Sequence, residues 1–265
     1  MGDQLPGGRP RHTSTAPRRS VLCDAEGSPL VDFVAGRSIT GRDWADDIRL
    51  PDSRPAPAAD AILASLPGWM ASTSHRELAA LLSVRALQLR QFHLYAWDFS
   101  TQRPDPDWSE PRLPDHLRIR GLDGVTASDL DPVRGRAYPV GHIDHAEGQL
   151  TRLTGLLRGS LYGPVLACSK VALAGSTPVA AALVAGRSGL PAWPAPSIVD
   201  LFRDPRGAFP GIGALLLRSA LAQASADGTP DRLLLTVTEG NPAQRLYERT
   251  GFTRLGSARC FLVPS

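Results

Sequence analysis

The sequence predicts a mixed α/β fold, with a central sheet flanked by helices and preceded by a smaller α+β region. Two observations support this class. The apolar runs "SIVDLFRD" and "RLLLTVT" are each followed by a segment of helical periodicity, which makes two crossover units. The runs "VLACSKVAL" and "PVAAALVAG" are joined by the short turn "AGST", which is typical of an antiparallel hairpin. A sheet that contains both kinds of connection is mixed.

The first elements form an α+β region that we place at residues 21–105. "VLCDAEGSPLVDF" predicts a hairpin with a Gly-Ser-Pro turn, and "AADAILASLPG" predicts a helix. "SHRELAALLSVRALQLRQ" is also helical by period and opens with a Ser74 to Glu77 capping box. "FHLYAWDF" predicts a strand. Residues 1–20 contain arginines but lack the apolar stretch of a secretory signal, so we expect a disordered tail.

A proline-rich segment, "STQRPDPDWSEPRLPDH" at residues 100–116, follows this region. Its four prolines and its acidic residues cannot sustain a helix or an inner strand. The sequence therefore predicts a linker, which we place at 106–115, and a second domain at 116–265.

The second domain opens with the strand "HLRIRGL" and the helical segments "TASDLDPV" and "HAEGQLTRLTGLLRG". The hairpin and the strand "SIVDLFRD" come next. "GIGALLLRSALAQASADG" predicts a helix that begins and ends at glycine. The strand "RLLLTVT", the helix "NPAQRLYERT" and a closing hairpin in "FTRLGSARCFLVP" complete the predicted order.

Composition excludes several classes of function. The net charge is +3, but the arginines are interleaved with acidic residues and form no basic stripe, which argues against nucleic-acid binding. No run approaches the roughly 18 apolar residues of a membrane span. The cysteines Cys23, Cys168 and Cys260 are far apart and form no CxxC pair. We therefore expect neither disulfides nor a zinc site, and a reducing cytoplasm as the location.

Two stretches carry a resemblance to a known family. "SIVDLFRDPRGAFPGIGALLLRSAL" and "LLLTVTEGNPAQRLYERTGF", in this order and at this spacing, resemble the GNAT superfamily of acetyl-CoA-dependent N-acetyltransferases. The resemblance covers residues 114–265. It implies acetyl-CoA as co-substrate and a small-molecule or protein amine as acceptor. A homodimer is a further expectation.

The start of the predicted helix suits a pyrophosphate, because helix starts present unpaired N–H groups and a partial positive charge. Gly211 and Gly213 would let phosphates approach the backbone, although close helix packing is an alternative reason for them. The chain departs from the family pattern at Ala208 and at Pro210, which has no N–H, and this leaves Arg206 as the nearest replacement charge. The expected cofactor-binding residues are Leu201, Phe202, Arg203, Arg206, Gly211, Ile212, Gly213, Ala214 and Asn241.

The resemblance also implies that the pantetheine arm adds to the sheet like an extra strand. Its partners would be backbone groups of Leu201, Phe202 and Arg203, so the Phe202 side chain is expected in the core or the pocket wall. The resemblance places Asn241 near the same arm. A residue after a strand and before a helix can also simply be an N-cap.

Tyr247 is the expected general acid. The resemblance places its hydroxyl near the cofactor sulfur, and a phenol with an ordinary pKa near 10 can protonate a leaving thiolate. The alternative is an amphipathic core residue with its hydroxyl at the surface.

The general base is expected to be Asp200 or Glu239, although each could be a solvated charge at a strand end. "AYPVGHIDH" lies in the segment that commonly shapes the acceptor pocket in the family, so Tyr138, His142 and His145 are expected acceptor contacts. The two histidines lack a third ligand at metal spacing, so no metal is expected.

The N-terminal region contains a faint echo of the C-terminal one. Aligning "TSHRELAALLSVRALQLR" with "TEGNPAQRLYERTGFTRL" superposes two helices, each followed by a strand, and places Leu82 opposite Tyr247 and Ala86 opposite Gly251. The region is therefore either a degenerate half-copy of the fold or an unrelated α+β extension. In both cases the chemistry belongs to the second domain.

The sequence is compatible with two functions. The first is acetyl transfer to an amine by direct attack, since Cys168 and Cys260 lie in apolar patterns that predict burial. The second is a non-catalytic acyl-CoA-binding or regulatory module. Ala208 and Pro210 favour the module, and Tyr247 favours the enzyme.

Overall fold

The computed structural model describes residues 18–37, 41–142, 144–145, 148–187, 195–206, 210–228 and 231–265. The N-terminal half comprises β1 (Arg18–Cys23), β2 (Pro29–Arg37), β3 (Asp43–Arg49), α1 (Pro55–Ser65), β4 (Met70–Thr73), α2 (Arg76–Ser83) and β5 (Leu87–Asp98). The C-terminal half comprises β6 (Leu117–Arg120), α3 (Ala127–Ala137), α4 (Gln149–Leu157), β7 (Lys170–Ala174), β8 (Thr177–Ala185), β9 (Ser197–Arg203), α5 (Ile212–Ala226), β10 (Arg232–Thr238), α6 (Ala243–Thr250) and β11 (Thr253–Leu262).

All described strands belong to one sheet, in the order β1-β2-β3-β4-β11-β5-β10-β9-β8-β7-β6. The two halves exchange their last strands in the centre. β5 of the N-terminal half pairs with β10, and β11 of the C-terminal half pairs with β4. β5 and β11 also pair with each other, so the ladder of hydrogen bonds runs without a break through both halves.

The half-copy interpretation is confirmed in the order of elements. β3-α1-β4-α2-β5 repeats as β9-α5-β10-α6-β11. The pairing repeats as well: β3 and β4 are parallel at two residue pairs, and so are β9 and β10. Leu82, which the alignment places opposite Tyr247, is fully buried in the core. The N-terminal half therefore has an apolar side chain where the C-terminal half has a hydroxyl.

The helices lie on the two faces of the sheet unequally. α1, α2, α5 and α6 cover one face through two adjoining cores, whereas α3 and α4 pack on the opposite face against β7, β8 and β9. In the C-terminal half, the connection from β6 to β7 carries α3 and α4. The corresponding connection between β1 and β2 is a short turn at residues 24–28. The second face of the N-terminal half is consequently a floor that no described helix covers.

The predicted helix over residues 74–91 was wrong in its extent. α2 ends at Ser83, and β5 begins at Leu87. Tertiary pairing explains the difference, because Leu87–Asp98 forms the centre of the sheet with a strand on each side. The capping box was also wrong: His75 is the N-cap, and its Nδ1 accepts a hydrogen bond from the Leu78 amide at 3.3 Å.

The predicted closing hairpin was wrong as well, because Thr253–Leu262 forms a single strand. The register shifts between Arg254 and Gly256, so a β-bulge stands where we expected a turn. The sequence patterns also missed β3 and β4.

The proline-rich segment contains only a 3-10 turn, Pro106–Trp108. The Trp108 ring packs against the Trp97 ring at 5.7 Å between centroids, and the Arg218 guanidinium lies over Trp108 at 5.4 Å. β1 begins at Arg18, within the expected tail, and the rest of that tail lies outside the described residues. None of the described helices is long and apolar enough to cross a membrane.

Candidate active site

A notch opens between β9 and β10. These parallel strands pair only at Ser197 with Leu234 and at Ile198 with Leu235. β9 continues to Arg203 and pairs there with β8 alone among the described strands. Backbone N–H and C=O groups require partners, so the edge of β9 beyond Ile198 can receive an extended ligand.

Tyr247 lies beside this notch, near the end of α6. Tyr247 is 6% exposed. Its ring packs edge-on against the Phe252 ring, with 6.0 Å between the two ring centroids. Tyr247 also lines the large cavity described below. Its hydroxyl has no hydrogen-bond partner among the described residues. Burial raises the pKa of Tyr247, and the carboxylates of Asp200 and Asp144 raise it further. The hydroxyl is therefore protonated at neutral pH.

The start of α5 follows shortly after the end of β9. Gly211 is the N-cap in a left-handed conformation at φ +82°, which explains the glycine there. A Cβ at Gly213 would come no closer than 3.9 Å to Leu246, an ordinary contact, so tight packing does not require that glycine. The Arg206 amide donates to Asp204 Oδ1 at 3.0 Å. Ala208 lies outside the described residues.

A buried ion pair closes one wall of the site. Arg134 Nε of α3 donates to Asp200 Oδ2 at 2.6 Å, and the two side chains are 5% and 7% exposed. The Tyr138 hydroxyl lies 3.1 Å from Asp200 Oδ1 and 3.1 Å from the Leu201 carbonyl oxygen. Asp200 is thus held on both carboxylate oxygens.

A second carboxylate, Asp144, lies on the connection between α3 and α4. Its Oδ1 accepts from the Thr238 hydroxyl at 2.5 Å, and its Oδ2 accepts from Asn241 Nδ2 at 2.6 Å. Asn241 Oδ1 in turn accepts from the Ala243 amide at 2.8 Å. These bonds attach the connection to the end of β10 and the start of α6.

The cavity at this site has a volume of about 980 Å³ and extends from the notch across the uncovered floor of the N-terminal half. The C-terminal half contributes the notch and residues of α3 and α4. The N-terminal half contributes side chains of β2 to β5, among them Val34, Trp44, Asp46, Ser72, Arg90 and Phe92.

Solved structures provide the comparison for this geometry. A GCN5-related N-acetyltransferase from Sphaerobacter thermophilus is similar over 91% of this chain and 78% of its own, with a TM-score of 0.61 and 13% identity. A GCN5-related N-acetyltransferase from Kribbella flavida is similar over 94% of this chain and 90% of its own, with a TM-score of 0.58 and 18% identity. The chain has a GNAT fold. No protein-family model and no curated protein matches the sequence.

A third similar structure is relevant to the repeated order of elements in the two halves. A tandem GNAT protein from the clavulanic acid biosynthesis pathway is similar over 94% of this chain and 83% of its own, with a TM-score of 0.58 and 14% identity. Two consecutive GNAT-like halves in one chain are therefore an arrangement that occurs in a solved structure. At these identities the likeness concerns the fold.

Most of the expected site residues meet at the cavity of the GNAT fold. Those that line it are Tyr138, His142, His145, Asp200, Leu201, Phe202, Arg203, Asn241 and Tyr247. Arg206 and the start of α5 (Gly211, Ile212, Gly213 and Ala214) follow the end of β9 and are not part of this lining. Asn241 Oδ1 accepts from the Ala243 amide, but Pro242 is the N-cap of α6, so the N-cap role that we gave as the alternative for Asn241 is wrong.

Glu239 is separated from that group. Its carboxylate Oε2 is 2.5 Å from His93 Nε2, and Gln91 Nε2 donates to the same oxygen at 3.3 Å. His93 shares a sheet face with Tyr95, opposite the cavity floor formed by Phe92, and Glu239 is not among the lining residues. The Glu239 side chain is 56% exposed.

The two histidines flank Asp144. His142 Nδ1 accepts from the Asp144 amide at 3.0 Å, and the His142 ring packs against Tyr138 at 5.1 Å. His145 Nδ1 lies 2.9 Å from the Tyr138 carbonyl oxygen and 3.4 Å from Gln149 Nε2. In the part of the chain that the structure describes, no three His, Cys, Asp or Glu side chains are grouped to hold a metal ion.

Sequence reasoning missed several residues of this site. Asp144 stands between the two histidines in "GHIDH", so the stretch was found but its carboxylate was passed over. Arg134 and Thr238 gave no signal of their own, because their roles depend on partners distant in sequence. The floor residues of β2 to β5 could be assigned to the site only once the strand exchange was known.

Proposed function

We propose that the protein is an N-acetyltransferase that transfers the acetyl group of acetyl-CoA to a primary amine by direct attack. The observation that carries this proposal is the notch between β9 and β10 beside the unbonded hydroxyl of Tyr247. α5, which begins at Ile212, is the next helix in sequence after β9. A thioester ligand entering this notch would meet a main-chain edge, a proton donor and a helix start.

The residues present fit the acetyl-CoA co-substrate. The edge of β9 at Leu201–Arg203 would hydrogen-bond the pantetheine arm through its backbone, since the Phe202 side chain is buried against α3 and α4. The first amides of α5 would receive the pyrophosphate, because a helix start combines unpaired N–H groups with a positive partial charge. Arg206 would add a full charge there, partly replacing the amide that Pro210 lacks.

Tyr247 would protonate the thiolate that leaves when the amine attacks. Its raised pKa keeps the phenol protonated through the pH range in which the acceptor amine becomes neutral. We therefore expect no alkaline loss of kcat from Tyr247 below its ordinary pKa of about 10.

Direct attack, without an acyl-enzyme, is supported by the state of the buried cysteines. Burial raises the pKa of Cys168 to about 11 and also raises the pKa of Cys260. The thiolate is the nucleophilic form of cysteine, so neither thiol is activated at neutral pH. Of the two, only Cys260 lines the cavity.

An enzyme is favoured over a non-catalytic acyl-CoA-binding module by the hydroxyl of Tyr247. Tyr247 lines the cavity, and its hydroxyl, which has no hydrogen bond among the described residues, is available to a ligand there. A proton donor to a transient thiolate has a reason to lack a resident partner.

We propose the amine of a small molecule or a protein as acceptor, and the cytoplasm as the compartment.

The test is Tyr247→Phe in the full-length chain. Amine libraries are first screened for acetyl-CoA-dependent thiol release, and the best amine is then used at saturation. Because general acid catalysis contributes about a hundredfold or more, kcat should fall by about that factor while the Kd of CoA stays nearly unchanged.

Tyr95→Phe is the matched control. Tyr95 is buried in the same hydrophobic core as Tyr247, but its hydroxyl donates to Glu248 Oε1 at 2.7 Å, and Tyr95 does not line the cavity. This variant should lose some stability and retain its kcat. Wild-type kcat for Tyr247→Phe, with chemistry as the slow step, would assign Tyr247 to packing.

A further inference from the structure

Asp144 is a half-buried carboxylate with neutral hydrogen-bond partners. Its two recorded side-chain bonds come from the Thr238 hydroxyl and the Asn241 amide. Among the described residues, no lysine, arginine or histidine forms an ion pair with it. A carboxylate has about four acceptor positions, so two remain after these bonds. Its negative charge therefore lies at the cavity wall without an ion-pair partner in the part of the chain that the structure describes.

The other carboxylates of the cavity are already neutralised or distant from Tyr247. Asp200 is paired with Arg134. Asp47 is paired with Arg19 and Arg49 at 2.7 Å each, and Asp46 lies on β3, four strands from β10. Among the described carboxylates that line the cavity, Asp144 alone combines a charge without an ion-pair partner with a position at the end of β10, beside α6.

The position of Asp144 relative to the notch suits an acceptor. Thr238 ends β10, one side of the notch, and Asn241 precedes α6, which carries Tyr247. Asp144 reaches both from the connection between α3 and α4, on the side of the sheet where the cavity opens. An amine bound there would stand between Asp144 and a thioester lying along β9.

We propose that Asp144 is the ammonium-binding residue of the acceptor site and takes the first proton from the acceptor amine. This rests on the proposed acetyl transfer. Its ligand class is a primary alkylammonium, which the remaining acceptor positions of the carboxylate can bind as a charge-assisted hydrogen bond. Thr238 and Asn241 are positioning residues, since they fix the orientation of the carboxylate.

The step balances as follows. The ammonium gives one proton to Asp144, which passes it to solvent. The neutral amine then forms a bond from nitrogen to the thioester carbonyl carbon, and the carbon–sulfur bond breaks. The leaving thiolate takes the proton of the Tyr247 hydroxyl, and the phenolate regains a proton from the nitrogen. The products are the acetamide, the CoA thiol and one released proton.

Asp144→Asn separates charge from packing. With the amide suitably oriented, its oxygen can accept from Asn241 and its NH2 can donate to the Thr238 hydroxyl, so both contacts survive while the charge is lost. Propylamine, an ammonium at neutral pH, is compared with hydroxylamine, which is largely unprotonated there. Asp231→Asn, at an exposed carboxylate outside the cavity lining, is the control for net charge.

The expected result is a loss of about a hundredfold in kcat/KM with propylamine for Asp144→Asn, against about threefold or less with hydroxylamine. Asp231→Asn should match wild type with both nucleophiles. An equal loss with both, or no loss with propylamine, would overturn the assignment of Asp144. If the wild type binds CoA but releases no thiol with any amine, the proposed transfer itself fails, and this site with it.

A binding measurement provides a readout independent of turnover. Propylammonium chloride is titrated into the full-length protein with CoA present, and the Asn241 side-chain NH2 signals are followed by NMR. They should shift in the wild type and stay unchanged in Asp144→Asn. Identical shifts in both proteins would contradict binding at Asp144.

Discussion

For Asp200 and Tyr247, the sequence predicts the location of the side chain but not its hydrogen-bond partners. Both stand next to apolar stretches, and both were expected at the reaction centre. The structure places both at the cavity, but Asp200 is held by Arg134 and Tyr138, whereas the Tyr247 hydroxyl is unbonded. Sequence periodicity predicts which side of an element a residue occupies. It does not predict pairing, because the partners of Asp200 are more than 60 positions away.

The buried pair of Arg134 and Asp200 predicts a large stability effect. Arg134→Met leaves a buried carboxylate without its counter-ion, so the free energy of unfolding should fall by about 3–5 kcal/mol. Urea denaturation measures this. The double variant Arg134→Met/Asp200→Leu should recover most of the loss, because an apolar pair can replace a buried ion pair. A double variant no more stable than the single one would contradict this explanation.

Gly251 predicts a backbone effect at the end of α6. It adopts φ +111°, and a Cβ there would lie 2.9 Å from both the Trp97 ring and Gln102 Oε1. Gly251→Ala should lower the free energy of unfolding by about 1–3 kcal/mol, from strain and crowding together. The control is Gly135→Ala inside α3, where a Cβ meets nothing within 4 Å. That change should be neutral or stabilising by up to about 1 kcal/mol.

At the scale of elements, the sequence predicts best where an element carries its own boundaries. α5 was located correctly because Gly211 begins it and Gly228 follows its end. β5 was partly missed because the helical period of the sequence continues past the end of α2 to residue 91. The strand there is stabilised by its neighbours β10 and β11, which no local pattern encodes.

Pro210 predicts a testable effect on cofactor binding at the start of α5. Pro210→Gly introduces an N–H one residue before the N-cap Gly211, and a hydrogen bond to a phosphate contributes about 1 kcal/mol or more. The Kd of CoA should therefore fall several-fold in isothermal titration. Arg206→Ala should raise it. An unchanged Kd for Pro210→Gly would show that the amide missing at Pro210 does not limit phosphate binding.

At the scale of the whole molecule, the predicted fold class and both crossover units are confirmed. The expected domains, 21–105 and 116–265, remain a prediction, and the two halves do not each complete a separate sheet. β5 and β11 instead cross between the halves, and Tyr95 and Trp97 of β5 belong to the core around α5 and α6. Such exchange is invisible in sequence, because both strands have the same local pattern in either half.

The strand exchange predicts that the halves depend on each other. A fragment of residues 114–265 lacks β5, which leaves β10 and β11 without a shared neighbour and removes Tyr95 and Trp97 from the core. The fragment should show no cooperative thermal transition by circular dichroism, whereas the full chain should. Adding a separate 18–113 fragment should restore the transition. A cooperative transition of 114–265 alone would show that this half folds independently.

The central claim is that acetyl-CoA binds in the notch between β9 and β10. Hydrogen exchange of the full-length protein, with and without acetyl-CoA, tests it most directly, because the N-terminal half has a matching notch between β3 and β4. Acetyl-CoA bound in this notch should slow exchange in peptides covering residues 199–203 and 211–215. It also predicts no change in peptides covering 43–49 and 70–73. Protection confined to the N-terminal notch, or none at saturating acetyl-CoA, would show that acetyl-CoA does not bind between β9 and β10.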